Sequence, residues 1–344
     1  MSKKTTTPIS DLGLFGLIDR LTVPFEKHLP STVRAAGDDA AVIDAGNDYL
    51  LVSTDLLLEG VHFDLTYFPL QHLGFKTVVA GISDILAMNG TPTQVMISIG
   101  ISSRFSVEMM EAFYEGVRAA CTRYGVDLAG GDTSASVNGL TLCVTAMGRV
   151  AKDKIVYRSG ARVHDLICVT GDLGAAYMGL HLLEREKRAL DGMPNPNPDF
   201  KGHEYILGRQ LRPEARLDVI QELDRRGIVP TSMIDLTDGL SSELLHLCKE
   251  SGTGARIYLN RLPIAGETSA MAEELHNDPV VAALNGGEDY ELLFTVPLEK
   301  RDEVFALGVD VTGHMTAPEA GVMLITPDEQ EIRVQAPGWV SAGE

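Results

Sequence analysis

The chain has 344 residues, a length for which two domains are the natural expectation, and 44% of its residues are hydrophobic, which is ample for burial. A formal net charge of −19 at pH 7 argues against nucleic-acid binding, which needs a basic surface. Since the sequence shows no apolar signal segment, no membrane-spanning run and no Cys-x-x-Cys pair among its four cysteines, we expect a cytoplasmic protein with free thiols.

The first half of the sequence predicts elements in the order β-β-α-β-α-β-β after a helical lead-in at residues 9–29. Helical spacing of apolar residues continues at residues 70–89 and 106–124, and strand-like runs cover residues 40–43, 50–52, 95–101, 126–129 and 140–150. This order predicts an α+β domain in which helices cover one face of a sheet. We place its boundary at Lys152-Asp153, which gives an N-terminal domain of residues 1–152.

The second half predicts a C-terminal α+β domain of residues 153–344. Its predicted strands are residues 166–170, 255–259, 290–296, 309–313 and 321–325, and its predicted helices begin at Gly174 and cover residues 204–211, 214–226 and 239–251. Residues 191–203 include a Pro- and Asn-rich segment, which is either a mobile lid or a simple insertion.

Acidic residues recur beside glycines and hydroxyls in both halves of the chain. The central stretch is Ser53-Thr54-Asp55, which follows a predicted strand and offers the hard oxygen ligands that magnesium prefers. The other clusters are Gly37-Asp38-Asp39, Ser83-Asp84, Gly130-Gly131-Asp132-Thr133 and Asp235-Leu236-Thr237-Asp238-Gly239. Any one of them is more often a turn, but carboxylates that meet in space repel each other unless cations neutralise them. The set therefore predicts a site with several magnesium ions, which also lets an acidic protein hold phosphate groups.

Five further residues are candidates for the site, and for each of them the sequence leaves open whether its role is structural or functional. Asp84 lies in a predicted helix among apolar residues and needs either a basic partner or a metal. His62 is either a packing residue or a substrate contact, and Arg158 is either a solvated loop residue or a phosphate clamp. Glu288 follows a glycine pair that permits close backbone approach, and Trp339 either anchors the core or stacks on an aromatic ligand.

These motifs, in this order, resemble those of the thiamine-monophosphate kinases, within the aminoimidazole-ribonucleotide-synthetase-like ATP-binding superfamily. The resemblance extends from about residue 10 to the C-terminus. It rests on Gly37-Asp38-Asp39-Ala40-Ala41-Val42, Ser53-Thr54-Asp55 with Gly60-Val61-His62-Phe63, Ser83-Asp84-Ile85-Leu86-Ala87-Met88, Gly130-Gly131-Asp132-Thr133, Arg158-Ser159-Gly160-Ala161, Arg212-Pro213, Ile234-Asp235-Leu236-Thr237-Asp238-Gly239-Leu240 and Gly286-Gly287-Glu288-Asp289-Tyr290-Glu291-Leu292. P-loop, protein-kinase, Gly-x-Ser-x-Gly and His-Glu-x-x-His motifs are absent from the sequence.

The resemblance implies ATP-dependent phosphorylation of thiamine monophosphate to thiamine diphosphate by a homodimer, whose N-terminal sheets join across the two-fold axis as a barrel. It implies magnesium ligands Asp38, Ser53, Thr54, Asp55, Asp84, Asp132, Asp235 and Asp238. It assigns ATP contacts to Gly131, Asp132, Arg158, Thr237 and Tyr114, and contacts to the thiamine phosphate to His62, Glu288 and Trp339. Asp55, Asp132, Arg158 and Asp235 are the residues expected to be essential for catalysis.

Two alternatives remain at this stage. One is another ATP-dependent synthetase of the superfamily, of the selenophosphate or purine-pathway type. A selenophosphate synthetase would carry a reactive cysteine near the N-terminus, whereas the first cysteine here is Cys121. The other alternative is a metal- or nucleotide-binding protein without catalytic activity, which an ATP-consumption assay with thiamine monophosphate would distinguish.

Overall fold

The computed structural model describes residues 6–192, 198 and 200–336. The helices are α1 (Gly13–Thr22), α2 (Leu70–Ala87), α3 (Val107–Tyr124), α4 (Ala175–Leu190), α5 (Glu204–Leu211), α6 (Leu217–Arg226), α7 (Leu240–Ser251), α8 (Gly266–Glu274), α9 (Pro279–Asn285) and α10 (Arg301–Phe305). The strands are β1 (Thr32–Arg34), β2 (Ala41–Asp44), β3 (Asp48–Leu58), β4 (Thr91–Ile101), β5 (Asp127–Ala135), β6 (Leu140–Ala151), β7 (Leu166–Val169), β8 (Ser232–Leu236), β9 (Gly254–Tyr258), β10 (Glu291–Val296), β11 (Asp310–Thr316), β12 (Val322–Ile325) and β13 (Glu331–Arg333). They form the two-domain α+β fold that the sequence predicts.

The first domain is built on a sheet with the strand order β1-β2-β3-β6-β4-β5. Neighbouring strands are antiparallel except β4 and β5, which run parallel. Helix α2 packs on β3, β4 and β6 and also against α3. The alternation along β6, where Leu140, Leu142, Val144 and Ala146 are buried, shows that one sheet face meets these helices. We call the opposite face the open face, because Thr54 and Leu56 lie exposed on it within the described part of the chain.

Strands β3 and β5 are longer than predicted, and this corrects the expected setting of two motifs. Ser53-Thr54-Asp55 lies in the middle of β3 and not at the end of a strand, since β3 pairs with β6 without a break from Asp48 to Leu58. Gly130-Gly131-Asp132 likewise lies within β5. Glycine is required there, because a Cβ on Gly131 would lie 1.9 Å from the carbonyl oxygen of Ile97 on β4.

The second domain is built on a sheet with the order β13-β12-β9-β11-β7-β10-β8. Strands β7, β8 and β10 are buried along their whole length, because helices or the first domain cover both faces. The helical lead-in is shorter than predicted, since only residues 13–22 form α1. Elements β1, β8, β13, α8, α9 and α10 have no counterpart among the predicted strands and helices. Among the helices of residues 6–192 and 200–336, none has the length and apolar character needed to cross a bilayer.

Candidate active site

Four buried or half-buried aspartates from both domains meet at the junction of the two sheets. Oxygen atoms of Asp39, Asp84 and Asp235 lie within 4.8 Å of one another. Asp55 lies close enough for its charge to act on both Asp84 and Asp235. We call Asp39, Asp55, Asp84 and Asp235 the acid cluster. It draws on the turn before β2, on β3 and α2 of the first domain, and on β8 of the second.

The acid cluster contains more negative charge than the neighbouring positive groups can balance. Burial raises the pKa of Asp55 to about 6. Burial, reinforced by the charge of Asp39, raises the pKa of Asp235 to about 7. Within the described residues, one buried carboxylate oxygen on each of Asp39, Asp55 and Asp235 has no hydrogen-bond partner. Such oxygens are ready ligands for a hard divalent cation, which would displace the protons that burial favours.

Arg158 is the arginine that reaches the acid cluster. Its Nε and Nη2 atoms donate to Oδ1 of Asp39 over 3.0 and 2.6 Å, and its backbone N–H donates to Oδ1 of Asp38 over 3.1 Å. Burial and the neighbouring charge of Asp39 raise the pKa of Asp38 to about 6. One guanidinium cannot balance four carboxylates, so a net negative charge remains for a ligand to neutralise.

The alternation of β3 divides the Ser53-Thr54-Asp55 triplet between two faces. Ser53 Oγ donates to the carbonyl oxygen of Gly81 on α2, over 3.1 Å, and Asp55 lies on the same face. Thr54 Oγ1 lies on the open face, 3.2 Å from the hydroxyl of Thr145. The triplet is therefore not the compact set of three side-chain donors that the sequence predicts, because neighbouring residues of a strand point to opposite faces.

Asp132 lies apart from the acid cluster within one copy of the chain. Strands β6 and β4 separate β5 from β3, a distance of roughly 14 Å across three strand spacings. Asp132 is paired with Ser98, and the sheet register places both on the open face with Thr54. It is exposed, and its Oδ1 accepts a hydrogen bond from the Thr133 N–H over 2.9 Å.

A cavity of about 270 Å³ brings Tyr114 together with the Gly130-Gly131-Asp132 stretch. Tyr114 is half-buried on α3, and its ring packs edge-on against Phe113, with the ring centroids 5.4 Å apart. We call this the Tyr114 cavity. It unites three of the residues assigned to ATP (Tyr114, Gly131 and Asp132), whereas Arg158 and Thr237 lie with the acid cluster.

The turn after β8 carries Thr237 and Asp238 and is held by a carboxylate that sequence analysis missed. The backbone N–H groups of Thr237 and Asp238 donate to Oε1 of Glu243 over 3.3 and 2.7 Å. The glycine pair before Glu288 packs on this turn, and a Cβ on Gly287 would lie 2.3 Å from the Thr237 carbonyl oxygen. The close backbone approach predicted for these glycines is thus present.

His62 and Glu288 line a second cavity of about 420 Å³, between the first domain and α4, which also includes Phe63, Phe68, Tyr67 and Gln210. We call it the histidine cavity. His62 Nδ1 accepts a hydrogen bond from the Leu58 N–H over 3.0 Å, which fixes the ring. The charges of Glu288 and His62 both act on the pKa of Asp238, so the cavity lies beside the turn after β8.

Three residues of this region were not among the predicted site residues. Asp39 stands next to the predicted ligand Asp38, and only the fold shows that Asp39 is the member nearer Asp84 and Asp235. Glu243 and Lys76 lie in helices at positions that the motifs do not include, so no local pattern indicated them. Trp339 lies outside the described residues, and its assignment stays a prediction.

Family models place the chain among known proteins. The model for the AIR synthase related protein, N-terminal domain, matches residues 37–150, and that for the C-terminal domain matches residues 162–333. The thiamine-monophosphate kinase of Aquifex aeolicus is 35% identical over 85% of this chain and 88% of its own length. The chain belongs to the thiamine-monophosphate kinase family. A member from Escherichia coli is 34% identical over 92% of this chain and 94% of its own length.

Solved structures agree with this family membership. AaThiL complexed with AMPPCP and TMP superposes with a TM-score of 0.82 and 32% identity, covering 96% of this chain and 97% of that one. The hydrogenase maturation protein HypE of E. coli superposes with a TM-score of 0.68 at 20% identity, which shows a shared fold alone. Thiamine-monophosphate kinases and HypE thus share the architecture, and this chain has the higher sequence identity to the former.

Proposed function

We propose that this chain transfers the γ-phosphoryl group of ATP to the phosphate of thiamine monophosphate, forming thiamine diphosphate and ADP. The observation that carries the proposal is the acid cluster with its partnerless carboxylate oxygens, set beside the histidine cavity. The relatives named thiamine-monophosphate kinase and the AaThiL complex with AMPPCP and TMP support the same substrates.

The donor set of the acid cluster fits magnesium. Asp39, Asp55, Asp84 and Asp235 provide oxygen ligands of the kind that this ion prefers, and Asp38, Ser53 and Asp238 lie around them as further candidates. Bound magnesium would supply positive charge that screens the phosphates from one another. Arg158 adds a fixed guanidinium beside Asp39, and Thr237 offers its side-chain hydroxyl to phosphate oxygens, because its backbone N–H is already bonded to Glu243.

The chain does not need a general base for this transfer. The phosphate of the acceptor has a second pKa of about 6, so its oxygen is largely deprotonated at neutral pH. That oxygen forms the new bond to the γ-phosphorus while the bond to the β-phosphate oxygen breaks and ADP leaves. His62 and Glu288 hold the acceptor in the histidine cavity, so the protein contributes alignment and charge balance. Trp339 is kept as a proposed contact of the thiamine ring.

We also propose that the active unit is a homodimer, in which the two N-terminal sheets form a barrel. Asp132 and Thr54 lie on the open face, away from Asp55 of the same copy, and β5 is exposed along its whole length. In such a barrel the exposed edge strand β5 of a second copy would lie beside the first copy's sheet and bring its Asp132, with Gly131 and Tyr114, toward the acid cluster. The roles of Asp132 and Thr54 as magnesium ligands therefore depend on the dimer.

Mixing of two inactive variants tests this arrangement. Dimers that combine an Asp55→Asn copy with an Asp132→Asn copy contain one site with both native aspartates if each site draws them from different copies. We expect co-expressed, purified heterodimers to regain a large part of the activity of one site. Heterodimers as inactive as each parent would contradict the shared site.

The reaction itself is tested by incubating the chain with ATP, magnesium and thiamine monophosphate, and following thiamine diphosphate and ADP. We expect equal amounts of both products, and none when thiamine monophosphate is replaced by purine-pathway acceptors. ATP binding without product would favour a non-catalytic nucleotide-binding protein.

The four free thiols agree with a reducing compartment, and we propose that the reaction takes place in the cytoplasm.

A further inference from the structure

Lys76 is a buried lysine on α2 that faces the second domain. Its side chain is 1% exposed, and its Nζ donates to the carbonyl oxygen of Gln210 over 3.0 Å. The same ammonium forms an ion pair with Glu288 and lies 5.4 Å from the ring centroid of Phe68 and 6.0 Å from that of Tyr290. An ammonium group is costly to bury unless it is paired. Its burial is therefore tied to the Glu288 carboxylate.

Glu288 has an unfavourable backbone conformation, and its carboxylate lies near another negative charge. Its φ of 61° lies in the left-handed region that residues with a Cβ avoid. Its N–H donates to the Thr237 carbonyl oxygen over 2.8 Å, which fastens the main chain but leaves the side chain free to turn. Asp238 lies nearby, and its carboxylate repels the negative charge of Glu288. A cation beside Glu288 is thus needed to hold its carboxylate in the histidine cavity.

Lys76 cannot serve the substrate directly. It is not among the residues that line the histidine cavity, whereas its partners Glu288, Gln210 and Phe68 are. Its ammonium lies behind the wall of that cavity and contacts three of the residues that form it. Any effect of Lys76 on the acceptor must therefore pass through these residues.

We propose that Lys76 is a positioning residue for the phosphoryl acceptor, because its ammonium fixes the carboxylate of Glu288 on the wall of the histidine cavity. The proposal rests on the proposed function, in which this cavity receives thiamine monophosphate. The acceptor carries a cationic thiazolium ring and an amino group, both of which suit a charged carboxylate held in a fixed place. Lys76 thereby acts on acceptor recognition and not on the nucleotide.

The test compares the variants Lys76→Met and Lys154→Met. Methionine keeps the length and the apolar stem of lysine but removes the charge. Lys154 forms an exposed ion pair with Asp224 and lies outside the histidine cavity. For Lys76→Met we expect the KM for thiamine monophosphate to rise about 10- to 100-fold, as for loss of an orienting partner, with the KM for ATP within about twofold. Lys154→Met should leave both KM values unchanged.

A double variant shows whether Lys76 works through Glu288. Glu288→Gln alone should raise the KM for thiamine monophosphate, and Lys76→Met combined with Glu288→Gln should raise it no further than about twofold, since two residues that act as a unit are not additive. If Lys76→Met alone fails to fold, because it leaves Glu288 unpaired, the double variant has no unpaired charge and gives the same comparison. Failure of both variants to fold would assign Lys76 to folding and overturn the proposal.

Three further results would overturn it: a folded Lys76→Met protein with the native KM, a change confined to the KM for ATP, or effects of the two substitutions that multiply. Calorimetric titration of thiamine monophosphate into each variant without ATP separates this proposal from the reaction. A native chain that binds thiamine monophosphate without phosphorylating it would refute the proposed function, while the affinities of the variants would still decide the role of Lys76. A native chain that does not bind it would overturn both.

Discussion

Two buried carboxylates on the neighbouring strands β8 and β10 differ in how their negative charge is balanced. Asp235 of β8 belongs to the acid cluster, and Glu291 of β10 belongs to an ion-pair network. Asp235 of β8 is paired with Leu292, whereas Glu291 of β10 is paired with Leu236, so the two carboxylates lie on opposite faces of the sheet. Glu291 is fully buried and accepts from Arg209 Nη1 over 2.8 Å, from Thr170 Oγ1 over 2.6 Å, and from Arg216. In the acid cluster, by contrast, four carboxylates lie beside one guanidinium, that of Arg158.

This difference separates a structural ion-pair network from a ligand site. Around Glu291, the positive charges are provided by the chain itself, and the group is complete without a ligand. In the acid cluster, partnerless oxygens and raised pKa values indicate that the compensating charge comes from outside. Removal of a carboxylate from the acid cluster should therefore lower activity but not stability, whereas removal of Glu291 should lower stability. Four experiments test this contrast.

The largest effect is expected for Asp55→Asn. Loss of this carboxylate should lower kcat about 10²- to 10³-fold, the range for removal of one charge-stabilising group. The metal-free protein should melt at the same or a higher temperature, because one like charge has been removed from the acid cluster. Steady-state kinetics and thermal unfolding in EDTA measure both, with Asp44→Asn, an exposed ion-pair residue of β2, as the control. Near-native turnover at saturating magnesium would remove Asp55 from the site.

Glu291→Met should have the converse effect. Without this carboxylate, Arg209 and Arg216 keep their charges in a buried place, and the free energy of unfolding should fall by about 3–5 kcal/mol. Denaturant unfolding measures the change, and Glu331→Gln, which removes an exposed partner of Arg256, should leave the midpoint nearly unchanged. If Glu291→Met had the native free energy of unfolding, Glu291 would not be needed to balance the two arginines, and the proposed difference from the acid cluster would be wrong.

A third experiment uses pH. The folded protein holds protons on Asp38, Asp55 and Asp235 up to about pH 6 or 7, whereas the unfolded chain loses them near pH 4. Between these values the folded state binds more protons, so these groups make the metal-free protein less stable as the pH rises. Magnesium should therefore raise the melting temperature more at pH 7.5 than at pH 5.5. Equal shifts at both pH values, with sodium chloride of matched ionic strength as the control, would contradict this.

The smallest effect is expected for Ser83→Ala. The hydroxyl of Ser83 hydrogen-bonds to Asp235 and lowers the pKa of that residue against the larger effect of burial. Without it the pKa of Asp235 rises further, and protons compete more strongly with magnesium. The magnesium concentration for half-maximal activity should increase about threefold to tenfold at pH 6.5, as expected for one hydrogen bond of about 1 kcal/mol, and less at pH 8.5. The same increase at both pH values would exclude proton competition as the cause.

Much of this organisation could be predicted from the sequence, and the exceptions have physical causes. The two-domain α+β fold and the convergence of Asp55, Asp84 and Asp235 follow from strand and helix periodicity and from repeated acidic motifs. The face on which Thr54 lies could not be predicted, because it depends on how far β3 extends, and the apolar run alone suggested that the strand ends at Val52.

Residues without a local motif were missed for another reason. Lys76 and Glu243 each lie in a helix at a position outside the motifs, and their partners are more than 200 residues away or across a turn. Arg209 and Arg216 likewise show their role only once β10 has placed Glu291 between them. Such pairings are properties of the tertiary structure, since the helical or strand periodicity of a segment contains no information about which distant charge it will meet.

Helix α2 carries both Lys76 and Asp84, which are eight residues apart. At a rise of 1.5 Å per residue, these positions are about 12 Å apart along a continuous helix. The helix therefore fixes the distance between the wall of the histidine cavity and the acid cluster. Insertion of one alanine between them would add about 1.5 Å and turn one end by about 100°, so both ends could no longer meet their partners at once.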